Sequence, residues 1–277
     1  MKVRFRSALC ALGGLSLIAL AAVAAEPPAA TAPAAKITAA KMPAAKMAAG
    51  GPLDKVWTII PKPGMEVQFE KAFAAHVQWR RDNKDPWSWE VYTEADGPEV
   101  GARFARSGNH TWADFDAYED SDFAKKADEQ WNTTVAPYVA ATRSSMSEYL
   151  PAISHWPDDA PDYQLFQLNT YRLKPGAEAR YLTATGAIAK ALMDAKWPYN
   201  WGFLEYKTGP LPSLLLVIPA LNWAGFKDPE PDVFAAVASV RGEATARMMF
   251  DAFSACVAHI DGIIVRRMPQ YTVNAAK

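Results

Sequence analysis

Cysteine is almost missing from this chain: two residues in 277. Cys10 falls in an apolar N-terminal stretch, and Cys256 alone cannot close an internal disulfide, so the fold relies on its core. The setting Phe253-Ser254-Ala255-Cys256-Val257 predicts a small buried side chain rather than a nucleophile. Histidine is also scarce, at four residues. There is no Cys-x-x-Cys, His-Glu-x-x-His or Cys/His cluster, so a dedicated zinc site has no support. Gly-x-Ser-x-Gly, a Walker loop and Gly-x-Gly-x-x-Gly are all absent, which removes the serine-hydrolase, P-loop and Rossmann readings. A basic excess is missing too. Six of the 29 basic residues and one of the 30 acidic ones precede residue 51, leaving 23 basic against 29 acidic groups in the remainder. Nucleic acid is therefore not an expected partner.

What the N-terminus does contain is positional. Lys2, Arg4 and Arg6 precede an apolar run from Ala8 to about Val23, which ends in Ala22-Val23-Ala24-Ala25 before Glu26. Positive n-region, apolar h-region and small residues read as an export signal over 1–25. The strongly apolar part falls short of the roughly 20 residues a spanning helix needs. The expectation is an exported protein, periplasmic or secreted, with no membrane span once the signal is removed. Residues 26–52 are almost entirely Ala, Pro, Lys, Met and Gly, with pentads ending at Thr38, Pro43 and Ala48. Prolines and the lack of aromatics predict a disordered linker.

The body repeats itself. Lys62-Pro63-Gly64 recurs as Lys174-Pro175-Gly176, and at the same offset Trp89 matches Trp201 and Gly97-Pro98 matches Gly209-Pro210. After a one-residue slip Trp112 and Phe115 match Trp223 and Phe226. A rare residue pair held in register marks an internal duplication.

Each copy, 53–151 and 162–273, reads in one order. Strand-like runs (56–60 and 165–173) end at Lys-Pro-Gly. A helix follows, with Phe69, Phe73, His76, Val77 and Arg80 on one face and Tyr181, Thr185, Ile188, Ala189 and Leu192 on its counterpart. Two strands come next (87–93 and 102–106; 200–206 and 214–218), then a helical region opened by Trp112 or Trp223. Thr111-Trp112-Ala113-Asp114 has capping-box spacing. A last strand closes each copy (146–150; 263–268). The result is α+β: two tandem βαββαβ ferredoxin-like units.

A duplicated unit of this order, with Lys-Pro-Gly after its first strand and Trp-x-x-Phe at its second helix, resembles the dimeric α+β barrel superfamily, with NIPSNAP and antibiotic-biosynthesis-monooxygenase domains as the nearest type. The resemblance implies two sheets paired into a barrel within one chain, a pseudo-dimeric monomer with higher oligomers open, and a cavity between sheet and helices in each unit. It also implies a range of roles, from cofactor-free oxygenases to haem-degrading and peroxidase-like enzymes. The haem-degrading arrangement of Asn, Trp and His does not map onto this sequence, and Trp89 and Trp201 read as strand residues.

His76 is the most suggestive side chain. An imidazole on an apolar stripe can be an axial haem ligand, a general base or a hydrogen-bonded core residue. Glu205 shares strand parity with Trp201 and Phe203, which would turn a carboxylate toward the same side as two aromatics. His110 reads as a loop residue, His155 as part of the connection between units, and His259 as lying near the end of the last helix. The candidate pocket is Phe73, His76, Trp89, Trp201, Phe203 and Glu205, with His76 and Glu205 as catalytic candidates and no metal. Its expected occupant is a small apolar or aromatic molecule. The alternatives are an oxygenase- or peroxidase-like enzyme that could use haem, and a non-catalytic structural module.

Overall fold

The computed structural model describes residues 51–274, so the expected export signal and nearly all of the expected linker lie outside the described residues. The first unit runs β1 (Leu53–Pro61), α1 (Glu66–Asp82), β2 (Glu90–Asp96), β3 (Arg103–His110), α2 (Trp112–Glu119), α3 (Asp122–Thr134) and β4 (Val139–Tyr149). The second runs β5 (Leu165–Leu173), α4 (Glu178–Asp194), β6 (Gly202–Tyr206), β7 (Ser213–Ala220), α5 (Val233–Arg241), α6 (Glu243–Cys256) and β8 (Val257–Arg267). All eight strands close into one barrel of order β1-β3-β2-β8-β5-β7-β6-β4. Within each unit the pairing is the ferredoxin-like one, and the seams β2–β8 and β4–β6 join the units. Closure leaves no sheet edge. This is a dimeric α+β barrel completed inside a single chain.

The repeated Lys-Pro-Gly has a defined task. Gly64 and Gly176 turn the chain at φ 79 and 71°, a region that glycine enters without a Cβ clash. Lys62 Nζ donates to the Pro137 carbonyl and Lys174 Nζ to the Ala255 carbonyl, both at 2.8 Å. Their backbone N–H groups donate to Tyr138 O and Cys256 O at 2.9 Å. Each lysine thus ties the start of its first helix to the chain entering its last strand.

Several sequence expectations are corrected here. Residues 51 and 52, expected in the linker, belong to the fold: Gly51 is buried, its N–H donates to Asn109 O at 3.1 Å, and Tyr149 N–H donates to Pro52 O at 3.0 Å. The closing strands are longer than expected, and β8 begins at Val257. His259 therefore sits on a strand, exposed and 3.0 Å from Asp261, because Val257, Ile260, Ile263 and Ile264 favour the pleated state. Trp112 does open a helix, with the Thr111/Asp114 capping box formed. Trp223 opens only a short 3₁₀ turn, since Pro229 and Pro231 follow and cannot continue a helix. Trp89 and Trp201 stand just ahead of β2 and β6, in isolated bridges to Val273 and His155. No helix among the described residues is long and apolar enough to cross a membrane.

Candidate functional site

The two units differ most in the space between sheet and helices. In the first, β1, β2 and β3 face α1, α2 and α3 across a cavity of about 660 Å³. In the second, the equivalent space is about 80 Å³. The large cavity is walled by aromatics that include Phe73, Trp87, Trp89 and Trp131.

A polar chain crosses this apolar wall. His76 is buried on α1. Its Nδ1 meets Gln130 Oε1 of α3 in a short hydrogen bond, and its Nε2 accepts from Arg80 Nε at 2.8 Å. Because guanidinium nitrogens only donate, Nε2 must be the bare nitrogen and Nδ1 carries the proton, donating to the Gln130 oxygen. Burial, aided by the adjacent Arg80 charge, pushes the imidazole down to about 4, so it is neutral near pH 7. Arg80 Nη1 contacts Asp85 Oδ2 at 2.5 Å and Tyr118 Oη at 3.1 Å. The Asp85 carboxylate is fully buried and accepts also from Trp89 Nε1 at 3.0 Å and Trp87 N–H at 2.9 Å. Above this, Trp87 lies between His110 and Tyr118, with ring centroids 3.9 and 4.0 Å away. His110 is therefore no loop residue: it ends β3, buried, and pairs with Ser107 Oγ at 2.7 Å.

The duplication shows what is particular about this chain of contacts. The turn after the first helix is the same backbone in both units, with Lys84 and Lys196 at φ 56 and 53°. Asp85 N–H donates to Arg80 O and Trp197 N–H to Leu192 O, both at 3.0 Å. On that shared scaffold His76, Arg80 and Asp85 stand where the second unit has Ile188, Leu192 and Trp197. Those three are buried in an apolar cluster, and the Trp197 indole fills the space and donates to Pro231 O at 3.0 Å.

The expected pocket residues divide. Phe73, His76 and Trp89 line the large cavity, and Trp201 and Phe203 line the small one. Glu205 lines neither. It pairs across the β4–β6 seam with Glu148, and Lys207 Nζ bridges the two carboxylates at 2.6 and 2.7 Å. Like charges directly opposite one another repel, so the lysine holds the seam together. Sequence reasoning placed Arg80 on the α1 stripe without making it a site residue, and did not single out Asp85, Tyr118 or Gln130. A signal for two of them was present, since Arg80 and Asp85 align with Leu192 and Trp197 in an otherwise matching register.

Haem does not fit these residues. His76 is the one histidine lining the large cavity among the described residues, and both its nitrogens are engaged. The cavity tyrosines are engaged as well, Tyr118 with Arg80 and Tyr271 with Glu70 at 2.5 Å. No group of three metal-ligating side chains occurs among the described residues.

No protein-family model matches the chain, and no curated protein matches it in sequence. Several solved structures are similar to it. A provisionally assigned monooxygenase from Fusobacterium nucleatum subsp. nucleatum is 8% identical with a TM-score of 0.50, over 82% of this chain and 96% of its own. A provisionally assigned monooxygenase from Lactobacillus acidophilus is 9% identical with a TM-score of 0.49, over 80% and 96%. A chlorite dismutase variant from Candidatus Nitrospira defluvii is 8% identical with a TM-score of 0.49, over 79% and 92%.

Proposed function

We propose that this protein binds one small, planar aromatic molecule in the cavity of its first unit and acts outside the cytoplasm after removal of residues 1–25. One observation carries the binding reading: on a shared scaffold, one unit keeps an aromatic-walled space of about 660 Å³ while the other fills its own with Ile188, Leu192 and Trp197. Buried polar groups lining a large cavity lower stability, so retaining them beside a sister unit that dispenses with them supports a ligand role. Export rests on the N-terminal residues alone. Barrel closure within the chain supports a monomer without an obligatory partner.

Oxygenation is the activity suggested by the name of the Fusobacterium neighbour, and it is the second reading. Abstracting a proton from a bound aromatic needs a free base. His76 Nε2 already accepts from Arg80, so the imidazole is not free to be that base. The test is titration of the purified protein with N-phenyl-1-naphthylamine, following tryptophan quenching and probe emission, together with an oxygen-electrode trace. Saturable binding at one site, lost when Ala105→Trp fills the cavity floor, is expected. Binding that survives Ala105→Trp would overturn the proposal, and steady oxygen uptake with an added aromatic would favour the second reading.

A further inference from the structure

Arg80 is placed as a ligand anchor rather than as a structural cation alone. Its described hydrogen bonds use Nε and Nη1, while Nη2 makes none among the described residues. The side chain lines the cavity and is 17% exposed, so the free N–H pair borders open space. The guanidinium also lies over the Trp89 ring at 5.2 Å from its centroid. It is held from three sides by His76, Asp85 and Tyr118, so its position is set before any ligand arrives.

The charge around it is already more than offset. Asp85 compensates Arg80 at 2.5 Å, and His76 is uncharged. The other charged side chains lining the cavity are Lys55 and Lys125 against Asp116, Glu119 and Asp128. With Arg80 and Asp85 included, three cations face four anions. A second carboxylate or sulfonate would enter a site with a slight negative excess, and its dehydration would go unrewarded.

From this we propose that the ligand is an uncharged planar aromatic bearing an oxygen acceptor, and that Arg80 Nη2 donates to that oxygen; the proposal rests on the aromatic-binding reading above. Acceptor-free aromatics fill the cavity but leave the guanidinium N–H groups unpaired. Anionic aromatics enter against the negative excess of Asp85, Asp116, Glu119 and Asp128.

Three naphthalene probes separate these cases in the full chain. Prodan is a neutral aryl ketone, N-phenyl-1-naphthylamine is neutral without a carbonyl, and 1-anilinonaphthalene-8-sulfonate is the latter's anionic relative. Prodan should bind about tenfold or more tighter than either of the others, the expectation for one hydrogen bond to a charged donor. Arg80→Leu should remove that preference while N-phenyl-1-naphthylamine still binds. Asp85→Asn, which keeps the guanidinium and lifts its compensation, should shift preference toward the sulfonate by about tenfold and serves if Arg80→Leu fails to fold. Equal binding of prodan and N-phenyl-1-naphthylamine, or tighter binding of the sulfonate by the unaltered protein, would overturn the anchor while leaving aromatic binding intact. If none of the three binds, the aromatic-binding reading falls first.

Discussion

Arg80 Nε donates to His76 Nε2 across 2.8 Å, so successive turns of one helix hold a permanent cation against an imidazole that stays neutral. The pair is compatible only because Gln130 takes the proton on the other ring nitrogen and Asp85 takes the charge on the other side of the guanidinium. Removing any one member leaves a neighbour buried with an unmet requirement.

Replacing His76 with the residue of its own repeat, His76→Ile, should destabilise the fold. The substitution leaves Gln130 Oε1 and Arg80 Nε without their partner, a cost of about 1–3 kcal/mol. Urea unfolding followed by tryptophan fluorescence measures it. Stability equal to or above that of the unaltered protein would show that the histidine is not an integral part of this core.

The same imidazole sets a pH dependence. Its folded value is about 4 against an ordinary 6.5, so the unfolded chain binds the extra proton between those limits. Stability is complete above pH 6.5, falls as the pH drops to 4, and loses on the order of 3 kcal/mol across the window. His76→Gln, which cannot titrate, should lack this component. Parallel stability curves for the two proteins between pH 7 and 4 would contradict the assignment.

Asp85→Ala should be costly for a different reason. The carboxylate is fully buried, and its loss strands Trp89 Nε1 and the Trp87 N–H and removes the counter-charge of Arg80. Breaking a buried ion pair from one side costs about 3–5 kcal/mol. Restoring apolar consistency with His76→Ile, Arg80→Leu and Asp85→Trp together should recover much of that loss, since residues in one network do not add independently. A triple variant as unstable as the sum of its parts would refute the idea that the second unit shows the apolar solution of the same scaffold.

Cys256 offers a probe of opening. It is buried, and Sγ donates to Ala252 O at 3.3 Å. In a Cys10→Ser background, Ellman's reagent should label it only as fast as the second unit unfolds, with rates rising in urea. Rapid stoichiometric labelling of the native protein would be inconsistent with that packing.

Local chemistry made much of this protein readable in one dimension. The Lys-Pro-Gly turns, the amphipathic face of α1 and the Thr111 capping box depend on residues near one another in the chain, and the Trp89/Trp201 match is a register read directly from the sequence. Such patterns carried the element order and the duplication, while the α+β barrel was what the resemblance carried by that order implied. His76, Phe73 and Trp89 were brought to one cavity because a helix stripe must meet the sheet it covers. Strand ends were less legible. β4 and β8 begin earlier than expected because pairing with β1 and β5 supplies hydrogen bonds to polar residues such as Thr142, Arg143, His259 and Asp261 that interrupt the apolar pattern.

Tertiary structure alone decided the rest. Glu205 shares parity with Phe203, yet its environment is set by Glu148 and Lys207 at a seam between units, contacts that no local pattern encodes. Gln130 lies 54 residues from His76, and its approach settles which imidazole nitrogen is bare. Whether a stripe residue is a ligand, a base or a bonded core group depends on which distant atoms reach its two nitrogens. The sequence determined that a histidine, an arginine and an aspartate replace three apolar residues of the repeat. Only the folded chain showed that they form one connected network beside an open cavity, because hydrogen bonding depends on distance in space rather than along the chain.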